Sequence, residues 1–291
     1  MAVERYSCWD LWQQACGWYR QVQDLDEAER LFELSLLWEK VFGTRPLSLR
    51  QQEEESVAPE QARRLAEMVR RRSQGYPLQY LLGSWEFYGR EFLVGEGVLI
   101  PRPDTECLIE VVQARCKDPQ IVVDLCSGSG CIAITLAHLY PQAQVYGVEQ
   151  SPEALDYFQR NVALHRLQDR VTVIQGDARV PLDLPLVDLL VSNPPYVSEV
   201  EMAHLQREVQ FEPAMALQAP EEGLHFYRCF LERCPVPLAP QALVAFEIGW
   251  RQGQAVEELF RRNGYRQVEV LQDYGGRDRV VLGRRDSDPL K

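Results

Sequence analysis

The chain has 291 residues, 46% of them apolar and 25% charged, with a formal charge of −12. That length holds one large domain or two ordinary ones, and the proportions are globular, which excludes disordered, collagen-like and disulfide-scaffold proteins. No apolar run approaches the ~20 residues that cross a bilayer, and Met1-Ala-Val-Glu-Arg-Tyr6 lacks the basic start and apolar core of a secretory signal, so a cytoplasmic protein without membrane contact is expected. Residues 1–80 hold 11 basic and 13 acidic residues, so nearly all the negative charge lies beyond them, in a body poorly suited to gripping a phosphate backbone.

The first 75 residues read as helices. Ser7 and Asp10 form a capping-box pattern ahead of Leu11, Trp12, Ala15, Cys16, Trp18 and Tyr19. Asp26 and Glu29 repeat it before Leu31, Phe32, Leu34, Trp38 and Val41, and Gly43 ends that segment. These aromatic stripes read as core. The polar stretch 45–56 is expected to loop. A third helix starts near Pro59, with Ala62, Leu65, Ala66 and Val69 on one face. Arg63, Arg64, Arg70, Arg71 and Arg72 make it basic, either as a solvated face or as a docking surface for an acidic or RNA-containing partner.

Gly75-Tyr-Pro77 breaks the helical pattern. Trp85, Phe87, Tyr88, Phe92, Val94, Val98 and Ile100 then alternate with glycines, which predicts a β-hairpin linking two domains. A helix is expected over 107–114. Beyond it, strands are expected at 121–125, 145–148, 171–174, 187–192, 242–248, 267–271 and 279–282. Helices at 130–139, after Ser151-Pro152, at 222–234 and at 254–262 separate most of them. Such alternation predicts a parallel sheet with helices on both faces. The last two strands are joined by Asp273-Tyr-Gly-Gly-Arg-Asp278, too short for a helix, so they must pair antiparallel. The expected architecture is α/β: a helical domain over 1–76, a hairpin linker over 77–104 and a sheet domain over 105–291.

The eight cysteines show no C-x2-C spacing and only four histidines occur, so no metal site is expected. The first strand of the sheet ends in Asp124-Leu-Cys126-Ser127-Gly128-Ser129-Gly130. Glycines at a strand-to-helix turn let a ligand approach the backbone. Glu149 ends the next strand, 19 residues after Gly130, where an acid can accept hydrogen bonds from ribose hydroxyls. Gly176-Asp177 ends the third, where a polar group can reach an adenine edge. These features fit a dinucleotide or S-adenosylmethionine (SAM). Ala133 follows Gly130 at the third glycine position of the dinucleotide fingerprint, which tolerates it, so the glycines do not decide between the two.

The fourth strand runs into Ser192-Asn193-Pro194-Pro195-Tyr196. In an open parallel sheet this tetrapeptide shares a crevice with Gly128 and Glu149. Two prolines lock φ and remove two N–H donors, leaving backbone carbonyls as acceptors in a rigid loop. Asn193 adds a side-chain carbonyl, and Tyr196 an aromatic face. Together they form a receptor for a planar –NH2: acceptors take its two hydrogens, and the ring packs on its plane. Such a nitrogen is a poor nucleophile, and positioning it against an electrophilic methyl supplies the catalysis.

These residues carry a family resemblance. Asn193-Pro-Pro-Tyr196 is shared by methyltransferases of exocyclic and amide nitrogens. Pro77-Leu-Gln-Tyr80, Leu82-Gly83, Glu86-Phe-Tyr-Gly89, Val98-Leu-Ile-Pro-Arg-Pro-Asp-Thr-Glu106, Phe211-Glu-Pro213 and Asp278-Arg-Val280 follow in the order of one of them. The chain resembles the PrmC/HemK family of protein-(glutamine-N5) methyltransferases over about residues 75–283. The resemblance implies a Rossmann-like SAM-dependent methyltransferase sheet behind a helical substrate-recognition domain. It implies methylation of the glutamine of the GGQ loop of class 1 peptide-chain release factors, with SAM as cofactor and no direct nucleic-acid target. By position, Cys126, Ser127, Gly128, Ser129 and Gly130 would line the methionine part of SAM, Glu149 the ribose, and Asp177 with Ala178 the adenine edge. Asn193, Pro194, Pro195 and Tyr196 would hold the glutamine amide, Asn193 touching SAM as well. Cys126 replaces the family's usual first glycine, a place where a small thiol fits if φ is negative, and Ala178 stands where relatives often carry a bulkier residue. The alternative is an N-methyltransferase of adenine or guanine exocyclic amines.

Overall fold

The computed structural model describes residues 7–22, 25–46 and 56–286. It divides into two compact units, Met1–Ser84 with Gln206–Phe211, and Trp85–Leu205 with Glu212–Lys291. Most of the loop expected over 45–56, and the N-terminal residues 1–6, lie outside the described residues.

The first unit is built on α1 (Cys8–Tyr19), α2 (Glu27–Phe42), α3 (Pro59–Ser73) and the short α4 (Leu78–Leu82). The start signals act as expected. The Ser7 hydroxyl accepts from the Asp10 amide, and Asp26 and Glu29 form a reciprocal capping box. Gly43 ends α2 at φ 73, the left-handed conformation that suits a residue without Cβ. Leu11, Ala15 and Tyr19 pack with Leu34, Leu37 and Trp38 and with Leu65, Met68 and Val69. Phe32 departs from the expected core stripe and is 61% exposed. It precedes Leu34 by two residues, which turns it to the opposite helix face. The helix α4 follows directly on Pro77, a residue that suits a helix start as well as a break.

The basic face is the larger correction. Arg72 is buried, and its guanidinium forms a fork on Glu33 at 2.7 and 2.9 Å and reaches Glu208 at 2.8 Å. Tyr19 donates to the same Glu33 at 2.6 Å. Arg70 pairs with Glu67, and Arg71 lies over the Tyr76 ring at 3.7 Å. Arg72 thus turns into its own unit and Arg71 onto Tyr76, while Arg63, Arg64 and Arg70 stay exposed as a solvated face, so no continuous five-arginine surface exists. The segment 206–211, with its 3-10 turn Val209–Phe211, completes this unit by setting Phe211 edge-on to Tyr76.

The second unit opens with the two-stranded β1 (Ser84–Phe87) and β2 (Arg90–Leu93). The hairpin is shorter than expected, and 94–102 continues without strand pairing. After α5 (Pro103–Arg115) come β3 (Ile121–Leu125), α6 (Cys131–Leu139), β4 (Gln144–Glu149), α7 (Pro152–Leu164), β5 (Val171–Gln175) and β6 (Val187–Ser192). Two one-turn helices follow, α8 (Glu199–Met202) and α9 (Ala214–Leu217). Then come α10 (His225–Glu232), β7 (Leu238–Glu247), α11 (Gly253–Arg262), β8 (Tyr265–Gln272) and β9 (Asp278–Arg285). The seven-stranded sheet runs β5-β4-β3-β6-β7-β9-β8. Pairing is parallel from β5 to β7, while β9 lies antiparallel between β7 and β8.

Alternation within the strands feeds two cores. Val122, Val145, Leu189, Val191 and Ala245 face α5, α6 and α7, whereas Val123, Leu125, Leu190, Val244 and Phe246 face α10 and α11. Burial on both faces explains why these strands read as continuous apolar runs. Among the described residues, no helix is long and apolar enough to cross a membrane.

Removing one partner from a buried ion pair leaves a charge stranded. Arg72→Ala should therefore lower unfolding free energy by ~3–5 kcal/mol, read by urea denaturation. A loss below ~1 kcal/mol would mean that the Arg72–Glu33 fork behaves as a surface pair.

Candidate functional site

The chain enters the sheet at β3, steps outward to β4 and β5, then returns to β6 on the other side of β3. That reversal opens a crevice beyond the carboxyl ends of β3 and β6. Their last residues are in register, Leu125 with Ser192, so the loops 126–130 and 193–196 start side by side. The Ser192 hydroxyl ties the two strands by donating to the Leu125 carbonyl at 2.6 Å.

An open cleft lies there, about 910 Å³ counting the solvent at its mouth. Cys126, Ser127, Gly128, Ser129, Glu149, Asp177, Ala178, Asn193 and Pro195 line it, along with Arg102, Thr105, Met215 and Phe226. Gly130, Pro194 and Tyr196 stand outside that lining. Gly130 has a structural reason for its identity. It caps α6 at φ 80, and a Cβ there would lie 2.1 Å from the Phe158 ring. Gly128 has φ 55 and open space where a Cβ would be. Cys126 does not meet the condition for an unstrained thiol, because its φ is 60 and not negative. The turn from β3 into the loop demands a left-handed residue there, at ~1 kcal/mol or more for a side chain with Cβ.

Glu149 is held by the backbone. It accepts from the amides of Gly128, Gln150 and Ser151, each at 2.8 Å. Asp177 is engaged by Arg179, whose Nε and Nη2 donate at 2.8 and 2.7 Å and hold its carboxyl below the usual carboxylate range. Asn193 donates through Nδ2 to the Thr105 hydroxyl at 3.2 Å. The Tyr196 hydroxyl donates to Glu247 at 3.2 Å, and its carbonyl accepts from Gln252 at 3.1 Å. Gln252 also bonds the Glu222 carbonyl at 3.3 Å, in a turn where Glu221, Glu222 and Gly223 all have positive φ. A Cβ on Gly223 would meet the Tyr196 carbonyl oxygen at 2.1 Å, so only glycine lets that turn support the loop.

Sequence reasoning assigned no role to several residues of this site. Arg102 pairs with the buried Glu212, which also accepts from the Ile100 amide at 3.0 Å. Arg102, Thr105 and Glu212 lie inside the segments that carry the family resemblance, which was the available signal. Glu247 had a weaker one, a lone acid ending an apolar strand. Asp124, at the end of β3, is fully buried and accepts from the Ala133 amide at 3.2 Å; burial pushes its carboxyl up to about 8.

The reversed strand between two parallel ones and the crevice beyond β3 and β6 define a SAM-dependent methyltransferase fold. A methyltransferase from Pyrococcus furiosus superimposes with a TM-score of 0.52 at 14% identity, covering 69% of this chain and 91% of that one. The hMettl16 catalytic domain, solved with a MAT2A 3′UTR hairpin, gives 0.54 at 16%, covering 79% and 82%. Residues 17–83 match the PrmC N-terminal domain and 103–218 the methyltransferase small domain. The release factor glutamine methyltransferase of Moorella thermoacetica is 45% identical over 83% of this chain and 86% of its own length. That of Salmonella typhimurium is 36% identical over 91% and 95%. The chain belongs to the release factor glutamine methyltransferase family.

Asp124 ionises in the unfolded chain near pH ~4 but only near 8 when folded. Between those values the folded state holds a proton that the unfolded state has released, so stability falls as pH rises through that window. Asp124→Asn should flatten this decline in Tm measured between about pH 5 and about pH 8. An unchanged slope would contradict the assignment.

Proposed function

We propose that this chain transfers a methyl group from SAM to the side-chain amide nitrogen, N5, of the glutamine in the GGQ motif of class 1 peptide-chain release factors. One observation carries this reading: in a member of this family, Asn193 and Pro195 share one cleft wall with 126–129 and Glu149. Gly128 leaves its backbone open to a ligand. Glu149 is fixed by three amides, and a carboxylate has about four acceptor positions, so it keeps capacity for a ribose hydroxyl. These features support binding of SAM by 126–130 and Glu149, with Asp177 and Ala178 toward the adenine.

SAM supplies an electrophilic methyl on a sulfonium. The chain's own part is to present the nitrogen. The Asn193 side-chain oxygen and a backbone carbonyl of the 193–196 loop accept the two amide hydrogens, and the two prolines stiffen the loop that carries them. Acceptors directed at the nitrogen stabilise the positive charge it gains. Tyr196 braces the loop from Glu247. On this reading residues 1–76 recognise the release factor, 77–104 link, and 105–291 catalyse. The site of action is the bacterial cytoplasm, where release factors work. Methylation of an adenine or guanine amine is not favoured: the body of the chain is acidic, and relatives named for release factor glutamine span most of its length.

Labelled SAM should modify a release factor with GGQ and leave untouched one whose glutamine is alanine. Label on neither factor, or equally on both, would refute the proposal. Asn193→Ala should lower kcat by about a hundredfold with SAM affinity changed severalfold at most. Lost SAM binding with kcat intact would reassign Asn193 to the cofactor.

A further inference from the structure

The loop 193–196 and the turn 221–223 come from different parts of the chain, and one side chain joins them. Gln252 is the N-cap of α11, where a Ser, Thr, Asp or Asn would bond the helix's own amides. Its side chain makes no such bond. Nε2 instead donates to the Tyr196 carbonyl at 3.1 Å and to the Glu222 carbonyl at 3.3 Å. Oε1 accepts from the Gly249 amide at 2.9 Å, with the Tyr227 hydroxyl 3.5 Å away. A backbone N–H only donates and a carbonyl only accepts, so these partners allow a single orientation of the Gln252 amide.

The surroundings leave room for that amide and little else. A Cβ on Gly223 would lie 2.4 Å from Nε2, and one on Gly249 would lie 3.0 Å from Oε1. Glu221 and Glu222 hold φ 57 and 56, a conformation that persists in such residues only where the neighbouring structure enforces it. A strained turn, two close glycines and an amide with both hydrogens engaged thus meet at one glutamine. The loop 193–196 is thereby pinned at both ends. Ser192 holds its start on the Leu125 carbonyl, and Gln252 holds its end at the Tyr196 carbonyl. Between the pins, two prolines remove rotational freedom.

We propose that Gln252 is a positioning residue for methyl transfer: by gripping the Tyr196 carbonyl it fixes the end of the 193–196 loop, and with it the place of the loop's acceptors. The consequence for kcat rests on the glutamine-methylating reading, whereas the clamp itself does not. Gln252 does not line the cleft, so its loss should slow the reaction and leave cofactor binding nearly intact.

The test uses the full chain with Gln252→Met and Gln252→Glu. Methionine keeps the length and loses every bond. Glutamate keeps an oxygen for the Gly249 amide but sets a second acceptor against two carbonyls. Both should lower kcat about tenfold or more, with SAM affinity within about twofold. A carboxyl facing two carbonyls favours its protonated form, which can donate to one of them. The deficit of Gln252→Glu relative to wild type should therefore shrink as pH falls from about 8 to about 5.5, while that of Gln252→Met stays constant. Around position 252 stand Tyr196, Tyr227 of α10, Glu221 and Glu222 of the turn, and Asp278 of β9 beside Gly253. Glu247 and Arg279 lie beyond the tyrosines, and Arg251 lies over the Trp250 ring at 4.2 Å. All are present in both variants, so comparison with methionine cancels their titration. Wild-type kcat in either variant, SAM affinity lost in step with kcat, or a Gln252→Glu deficit that ignores pH would overturn the proposal. A second readout needs no turnover. Amide hydrogen exchange over 193–200 and 219–225 should quicken in Gln252→Met, with 121–139 as in the wild type. Unchanged exchange, or equal quickening over 121–139, overturns the proposal even if methylation is observed. Quickening confined to the two segments in a chain that leaves GGQ unmodified upholds the clamp and refutes the functional reading alone.

Discussion

The constraint that organises this molecule is burial of the parallel sheet on both faces. With α5, α6 and α7 on one side and α10 and α11 on the other, the sheet has no open face for chemistry. Only the strand ends remain. Because the chain reverses direction between β3 and β6, the helices that follow them diverge, and a crevice opens where Leu125 and Ser192 end in register. The glycine turn, Glu149, Asp177 and Asn193 meet there although more than 60 residues separate the first from the last. Their proximity is a property of strand order.

A second theme is the placement of buried polar groups. Arg72 with Glu33 and Tyr19 sits inside the helical unit, and Asp124 and Glu247 sit at strand ends beside the cleft. Each is expensive to desolvate. Arg72 is matched by a two-bond fork. The two acids are only partly matched, since Asp124 Oδ1 and Glu247 Oε2 have no hydrogen-bond partner. Incomplete compensation of this sort recurs where function and not stability sets the residue.

Much of the fold was legible because its signals are local. Capping boxes at Ser7 and Asp26, the glycine at 43 and doubly buried strands such as Ile121–Leu125 follow from short-range rules. The short connection before β9 led directly to its reversed direction. What failed was what depends on distant partners. Arg72 carries no mark in sequence of Glu33 and Glu208, the glutamates that bind it. The left-handed Cys126 breaks a conformational rule because the turn beyond β3 overrides it. In the candidate site the residues bearing motif chemistry were readable, whereas Thr105 and Glu247 act through other residues. A threonine in a helix start and an acid at a strand end look ordinary until the loop they brace is in view.

The central claim is that Asn193 offers its side-chain oxygen to the amide of a substrate glutamine. A crystal structure with S-adenosylhomocysteine and a GGQ-containing release factor tests it most directly. The account predicts the glutamine nitrogen about 3 Å from Asn193 Oδ1, with Nδ2 still on Thr105. A glutamine amide bound away from Asn193, or an Asn193 turned to face it with Nδ2, would contradict it.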